Sequence, residues 1–195
     1  MAHGFAADHL GDPTPRLQGR LSPNPAVHID PIGSVVVPGL LFLSSAGFIF
    51  GWAKPVVYNP FNLRDQKYGE LKVAAAGPAT NVLIALLFSA LIRASEPLGL
   101  NTAFVEVATY VVFINLLLAL FNLLPVPPLD GSKILPPLLP PRAAFAYRNF
   151  VQWFEQYGFL ASVLFLFLFI TLLWPFFAAM VARVFMIFTG QPLFL

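Results

Sequence analysis

The run from Leu71 to Ala94 carries no charged side chain between Lys72 and Arg93, and a helix of that length crosses the hydrocarbon core of a bilayer, which takes about 20 apolar residues. A second run of the same character extends from Phe104 to Leu124. Inside lipid a backbone satisfies its own polar groups only as a helix or a closed barrel, so these runs read as transmembrane helices. The rest of the chain agrees: 58% of residues are hydrophobic and 10% charged, with a mean hydropathy of +0.77, whereas a typical soluble domain has about 25% charged residues. The formal net charge is +2 and no basic run is available to neutralise phosphates, which argues against nucleic acid as a partner. There is no cysteine, so a metal site would have to be built from His, Asp and Glu.

Residues 1–34 are polar and rich in Pro and Gly, and read as an irregular surface segment without the features of a secretory signal peptide. Val35 to Ala53 is apolar but interrupted by Pro38, Gly39, Gly47 and Gly51. Basic residues lie on both sides of it, which favours a re-entrant segment over a full crossing. Lys54 to Lys72 is a polar loop. The two basic loops, with Lys54, Arg64, Lys67 and Lys72 before the helical pair and Lys133, Arg142 and Arg148 after it, place both open ends of a hairpin on the cytoplasmic side. Ala143 to Tyr157 is amphipathic and aromatic, suited to the headgroup level. Gly158 to Phe188 is apolar and split by Trp174-Pro175, which fits one kinked span or two short halves. The expectation is an all-α polytopic membrane protein of about three to four transmembrane helices plus a re-entrant segment, with residues 1–195 forming a single membrane-embedded domain in the cell membrane.

Polar residues within or beside spans are costly and mark candidate sites. Asn81 lies in Gly77-Pro78-Ala79-Thr80-Asn81, Asn115 in the next span, and Asn122 opens the string Asn-Leu-Leu-Pro-Val-Pro-Pro-Leu-Asp-Gly that ends at Gly131. Asp130 has two readings. It is an ordinary Asp-Gly turn or helix cap, or a metal ligand held by the extended segment that Pro125, Pro127 and Pro128 impose. Gly77, Pro78 and Asn81 serve either close helix packing or the binding of an unwound peptide backbone, with Pro78 freeing a carbonyl and Asn81 adding an amide. His3 and His9 read as residues of an untethered terminus and His28 as a loop histidine. The 195 residues contain no His-Glu-x-x-His.

Several strings, in order, resemble the compact bacterial type of site-2 protease, a family of membrane-embedded zinc metallopeptidases. They are His3-Gly4, Leu10-Gly11-Asp12-Pro13-Thr14, Asn24-Pro25 with His28-Ile29-Asp30-Pro31-Ile32-Gly33, Gly51-Trp52-Ala53-Lys54-Pro55-Val56 with Asn59-Pro60, Gly77 to Asn81, and Asn122 to Gly131. The resemblance implies that His3 is the second histidine of His-Glu-x-x-His, with Met1 and Ala2 at the two x positions. The first histidine and the general-base glutamate would then lie upstream of Met1, and the first family helix would be missing. It further implies Zn2+ as cofactor, Asp130 as the remaining protein ligand, and Asn81, with Gly77, Pro78 and Asn122, as the residues that hold an unwound substrate. Two histidines four apart share one helix face, and zinc on three protein ligands keeps a position open for water.

The implied activity is hydrolysis of peptide bonds in transmembrane protein substrates, with membrane lipid as surroundings. The 195-residue chain alone is expected to be inactive. The alternative is a non-catalytic relative that binds or scaffolds membrane proteins. A transporter or channel component ranks behind both, because inverted repeats are lacking. Nothing in the sequence selects a substrate or an oligomeric state.

Overall fold

The computed structural model describes residues 1–44, 51, 54 and 56–193, with the backbone alone at Pro25 and Phe159. It divides into two compact units, Met1–Val73 and Ala74–Leu195.

In the first unit, α1 (Ala2–His9) and α2 (Thr14–Leu17) are joined by a turn through Gly11. Residues 1–34 were expected to be irregular, and α1 corrects that reading. Ala2, Ala6 and Ala7 carry high intrinsic helix propensity, and no proline intervenes before Pro13. The helix is anchored by its small residues. Ala7 is fully buried with Leu63 and Val73, while a β-carbon on Gly4 would meet Leu21, Pro15 and Val56 at 3.0–3.3 Å. Asp30 then caps a π-helical turn, Pro31–Val36, by accepting from the amides of Ile32 and Gly33, and α3 (Val37–Leu43) follows. Pro31–Leu43 is apolar but shorter than a crossing requires. The rest of the expected re-entrant stretch, residues 45–50, 52 and 53, lies outside the described residues. Among the described residues, a β-carbon on Gly51 would fall 2.6 Å from the Gly33 carbonyl oxygen, and the Lys54 amide donates to the His28 carbonyl at 3.0 Å.

Helix α4 (Gly69–Arg93) starts in the first unit, where the Asp65 carboxylate accepts from the amides of Lys67 and Tyr68 and pairs with Lys72 at 2.6 Å. In the second unit, α5 (Thr102–Asn122) begins at Asn101, whose side chain accepts from the Phe104 amide. A short α6 (Gly131–Ile134) precedes α7 (Pro141–Leu168), which is broken at Gly158, where φ is +43°. A π-helical turn, Phe169–Leu173, leads into α8 (Trp174–Thr189). Pro175 lacks an amide proton, so the i−4 hydrogen bond is lost there and the ladder widens just upstream.

Among the described residues three stretches are long and apolar enough to cross a membrane: Gly69–Arg93, Thr102–Asn122 and Leu160–Thr189. The third runs without a break in helix through the π-helical turn at Phe169–Leu173. Only 22%, 22% and 11% of these windows is buried, so most apolar side chains face outward, as lipid contact requires. The protein is an all-α polytopic membrane protein. Its second unit is held by two i, i+4 stripes, Ala108-Val112-Leu116 on α5 and Phe177-Val181-Phe185 on α8, all buried. In lipid the attraction between such faces is mainly van der Waals contact. Edge-on stacking adds to it, with Phe121–Phe169 ring centroids 5.3 Å apart and Phe169–Phe177 5.2 Å apart, each such pair worth about 1 kcal/mol.

Candidate metal and substrate residues

In the first unit, His3 is half-buried on α1 and its Nδ1 lies 2.8 Å from the backbone carbonyl of Val73. A carbonyl oxygen only accepts, so Nδ1 carries the proton and the lone pair of the neutral ring is on Nε2. That is the tautomer, fixed by a backbone carbonyl, that metal-binding histidines use. The untethered-terminus reading does not describe this residue. His9 is exposed, and the ring of His28 is engaged with the Ser22 carbonyl at 3.1 Å.

Beside α1, Asp12 is completely buried and accepts four hydrogen bonds: from the Thr14 hydroxyl (2.6 Å) and amide (3.2 Å), the Asn59 amide (2.6 Å) and the Asn62 side chain (2.9 Å). Burial alone would raise its pKa. The donations from Thr14, Asn62 and Asn59 outweigh that and hold the carboxyl below its ordinary 3.8. The Leu-Gly-Asp-Pro-Thr string therefore has a structural purpose, tying the turn after α1 to the loop before α4.

In the second unit, Asp130 sits at the N-cap position of α6, yet its side chain makes no capping hydrogen bond to that helix. Its position is set by backbone. The chain turns sharply after α5, with Val126 N to Leu124 O and Leu129 N to Val126 O both 2.9 Å. The Pro127–Pro128 bond is cis. The Asp130 carbonyl receives the amides of Lys133 and Ile134. Gly131 lies against the end of α5 so closely that a β-carbon would fall 2.3 Å from the Leu123 carbonyl oxygen and 2.4 Å from that of Leu124. From α7, the Tyr147 phenol donates to the Pro125 carbonyl at 3.1 Å. Burial pushes the Tyr147 pKa up, which keeps that donor protonated.

Gly77 and Asn81 lie one turn apart on α4, with Pro78 buried between them. Pro78 has no amide proton to give the Ala74 carbonyl, and that carbonyl is left without its helical donor. Asn81 is half-buried, and its amide makes no hydrogen bond among the described residues. Asn115 and Asn122 differ, since their amides donate back to Val111 and Leu118 carbonyls, each at 2.9 Å. Of the three asparagines, Asn81 alone keeps its amide uncommitted.

The implied zinc can be tested against the donors present. An imidazole in the required tautomer and a carboxylate on a rigid turn fit zinc chemically, but they are two donors where three are needed. Among the described residues no group of three or more His, Asp or Glu side chains is positioned to hold a metal. Sequence reading missed Arg93, whose Nε and a terminal nitrogen donate to the Phe188 and Ile187 carbonyls at 2.6 and 2.7 Å. A basic residue at the end of a span was the available signal.

A model described as Peptidase family M50 matches residues 94–169. Three relatives carry names that propose a zinc metalloprotease. YwhC of Bacillus subtilis is 34% identical over 90% of this chain and 78% of its own length. Rip2 of Mycolicibacterium smegmatis is 32% identical over 85% of this chain, which spans 61% of that protein. MJ0611 of Methanocaldococcus jannaschii is 44% identical over a shorter stretch, 33% of this chain and 32% of its own. No solved structure matches the chain.

Proposed function

This chain belongs to the site-2 protease family, peptidase family M50, and from that premise we propose that residues 1–195 serve as one metallopeptidase-like domain that cleaves transmembrane protein substrates within the cell membrane. His3 and Asp130 are two of its zinc ligands. The observation that carries this reading is the hydrogen bond from His3 Nδ1 to the Val73 carbonyl, which turns a histidine near the chain start into an oriented donor through Nε2. The Asp130 turn adds to it, because a carboxylate built on rigid backbone pays little ordering entropy on binding a cation.

Zinc, when bound, supplies a Lewis acid that polarises the scissile carbonyl and acidifies water. The chain's own residues do the rest. Pro78 leaves the Ala74 carbonyl without its helical donor, and the Asn81 amide on the same helix supplies a donor and an acceptor. An unwound substrate segment needs both, since its own backbone groups would otherwise be unsatisfied in lipid. Asn122, already bonded to Leu118, contributes to that surface through shape.

The test extends the chain by an N-terminal helix ending in His-Glu directly before Met1, which completes His-Glu-Met-Ala-His. That protein should bind one zinc per chain and cleave a transmembrane reporter, and His3→Ala or Asp130→Ala should lower both. Unchanged zinc content in both variants would refute the ligand assignment. Compared with the extended protein, the unextended chain should bind zinc more weakly and cleave the reporter more slowly. Tight stoichiometric zinc with proteolysis by it would favour a different site. The scaffold reading gains if the extended chain folds, binds zinc and still cleaves no reporter.

A further inference from the structure

At the end of the second unit opposite Lys133, Arg142 and Arg148, the α4–α5 link, the first turns of α5 and the tail after α8 line an open cavity of about 900 Å³, at which Glu96 and Glu106 are exposed. It is separated from Asp130 by the length of α5, roughly 30 Å at 1.5 Å per residue. The tail is held in place. Arg93 binds the Ile187 and Phe188 carbonyls, Gly190 turns the chain at φ +77°, and the buried Thr189 hydroxyl accepts from the Gln191 amide at 3.2 Å. Val105, Phe113, Phe185 and Leu193 form apolar wall, while Glu96 and Glu106 bring two carboxylates. No Lys, Arg or His lines the space among the described residues, and neither carboxylate has an ion-pair partner there. Arg93 is spent on carbonyls. Glu106 is also the sole charged residue of α5, and a charge within a span is a functional candidate by default.

We propose that this cavity binds an amphiphile with an ammonium headgroup, and that its occupant is an aminophospholipid of the surrounding membrane. Charge complementarity selects the head, because two carboxylates without a cation attract ammonium and repel anionic lipid. The wall selects the source. A free amine would leave the aromatic and aliphatic surface uncovered, whereas an acyl chain covers it. The location fits as well, since Glu106 lies one turn inside the end of a span, at the depth where headgroup and chain join.

The test uses the full chain in nanodiscs containing equal phosphatidylethanolamine and phosphatidylglycerol, released for native mass spectrometry. The wild type should retain phosphatidylethanolamine about tenfold over phosphatidylglycerol, the worth of one charge-assisted hydrogen bond. Glu96→Gln with Glu106→Gln should abolish the preference. Thr109→Trp, which fills the cavity and leaves both carboxylates, should lower the number of lipids retained, and it reads the proposal independently should the double variant fail to fold. Equal retention of the two lipids by the wild type would overturn the proposal. So would a preference that survives the double glutamine variant, or displacement of the lipid by millimolar phosphoethanolamine alone, which would mean the walls bind nothing.

Discussion

Replacing Gly131 with alanine separates two forces of opposite sign. Gly131 is the first residue of α6, so by intrinsic propensity alone alanine should stabilise it by about 1 kcal/mol. Tertiary geometry argues the reverse. The new methyl would lie 2.3 Å from the Leu123 carbonyl oxygen and 2.4 Å from the Leu124 carbonyl oxygen, about 1 Å short of ordinary contact. Both obstacles are backbone at the end of α5 and cannot rotate aside, so the turn carrying Asp130 has to move. Overpacking of this kind costs about 1–3 kcal/mol, and two backbone contacts belong at the upper end. Subtracting the propensity gain leaves a net loss of about 2 kcal/mol. Hydrogen exchange in detergent should show that loss as faster exchange at Ser132 to Leu135, with α8 unchanged. In the His-Glu-extended chain, an Asp130 shift of about 1 Å should lower kcat/KM about 100-fold. Unaltered exchange and zinc retention in Gly131→Ala would show that the turn relaxes freely and that Asp130 is not held by this contact.

Three further outcomes follow from the same geometry. Asp12→Ala orphans the donors from Thr14, Asn59 and Asn62 and should cost about 3 kcal/mol in denaturant melts at pH 7. The Asp12 pKa is depressed in the folded state, so its contribution is present above the unfolded value of 3.8 and is lost as pH falls through the lower folded value. The gap between wild type and Asp12→Asn should therefore narrow below about pH 4; a constant gap would contradict the assignment. Asn81→Ala removes no internal hydrogen bond and should change stability by less than about 0.5 kcal/mol, yet lower kcat/KM of the extended chain about 100-fold; equal kinetics would end its role as a substrate contact. Arg93→Ala removes two charge-assisted bonds at the end of α8 and should cost about 2 kcal/mol, read as earlier thermal loss of helicity, whereas Arg93→Lys should recover part of it.

The spans were legible in the sequence because lipid burial depends on composition. The expected runs Leu71 to Ala94 and Phe104 to Leu124 differ from α4 and α5 by one or two residues at each end, and Gly158, read as the start of the last apolar run, is where α7 breaks. The family strings were legible too, since Pro, Gly and Asp at fixed offsets dictate turns wherever they occur. Tertiary structure decided what those strings do. His3 reads as a terminus until the Val73 carbonyl, seventy positions away, accepts a hydrogen bond from its ring, and Asp12 is one acid among nine until four donors converge on it. Gly131 resembles any Asp-Gly turn until the carbonyls of Leu123 and Leu124 fill the space a side chain would need. Glu96 and Glu106 belong to a loop and a helix, and only the fold of the chain's tail makes them two walls of one cavity. Hydropathy is summed along the chain and can be read there. A hydrogen bond or a van der Waals limit depends on which distant atom arrives, and that is known only once the chain has folded.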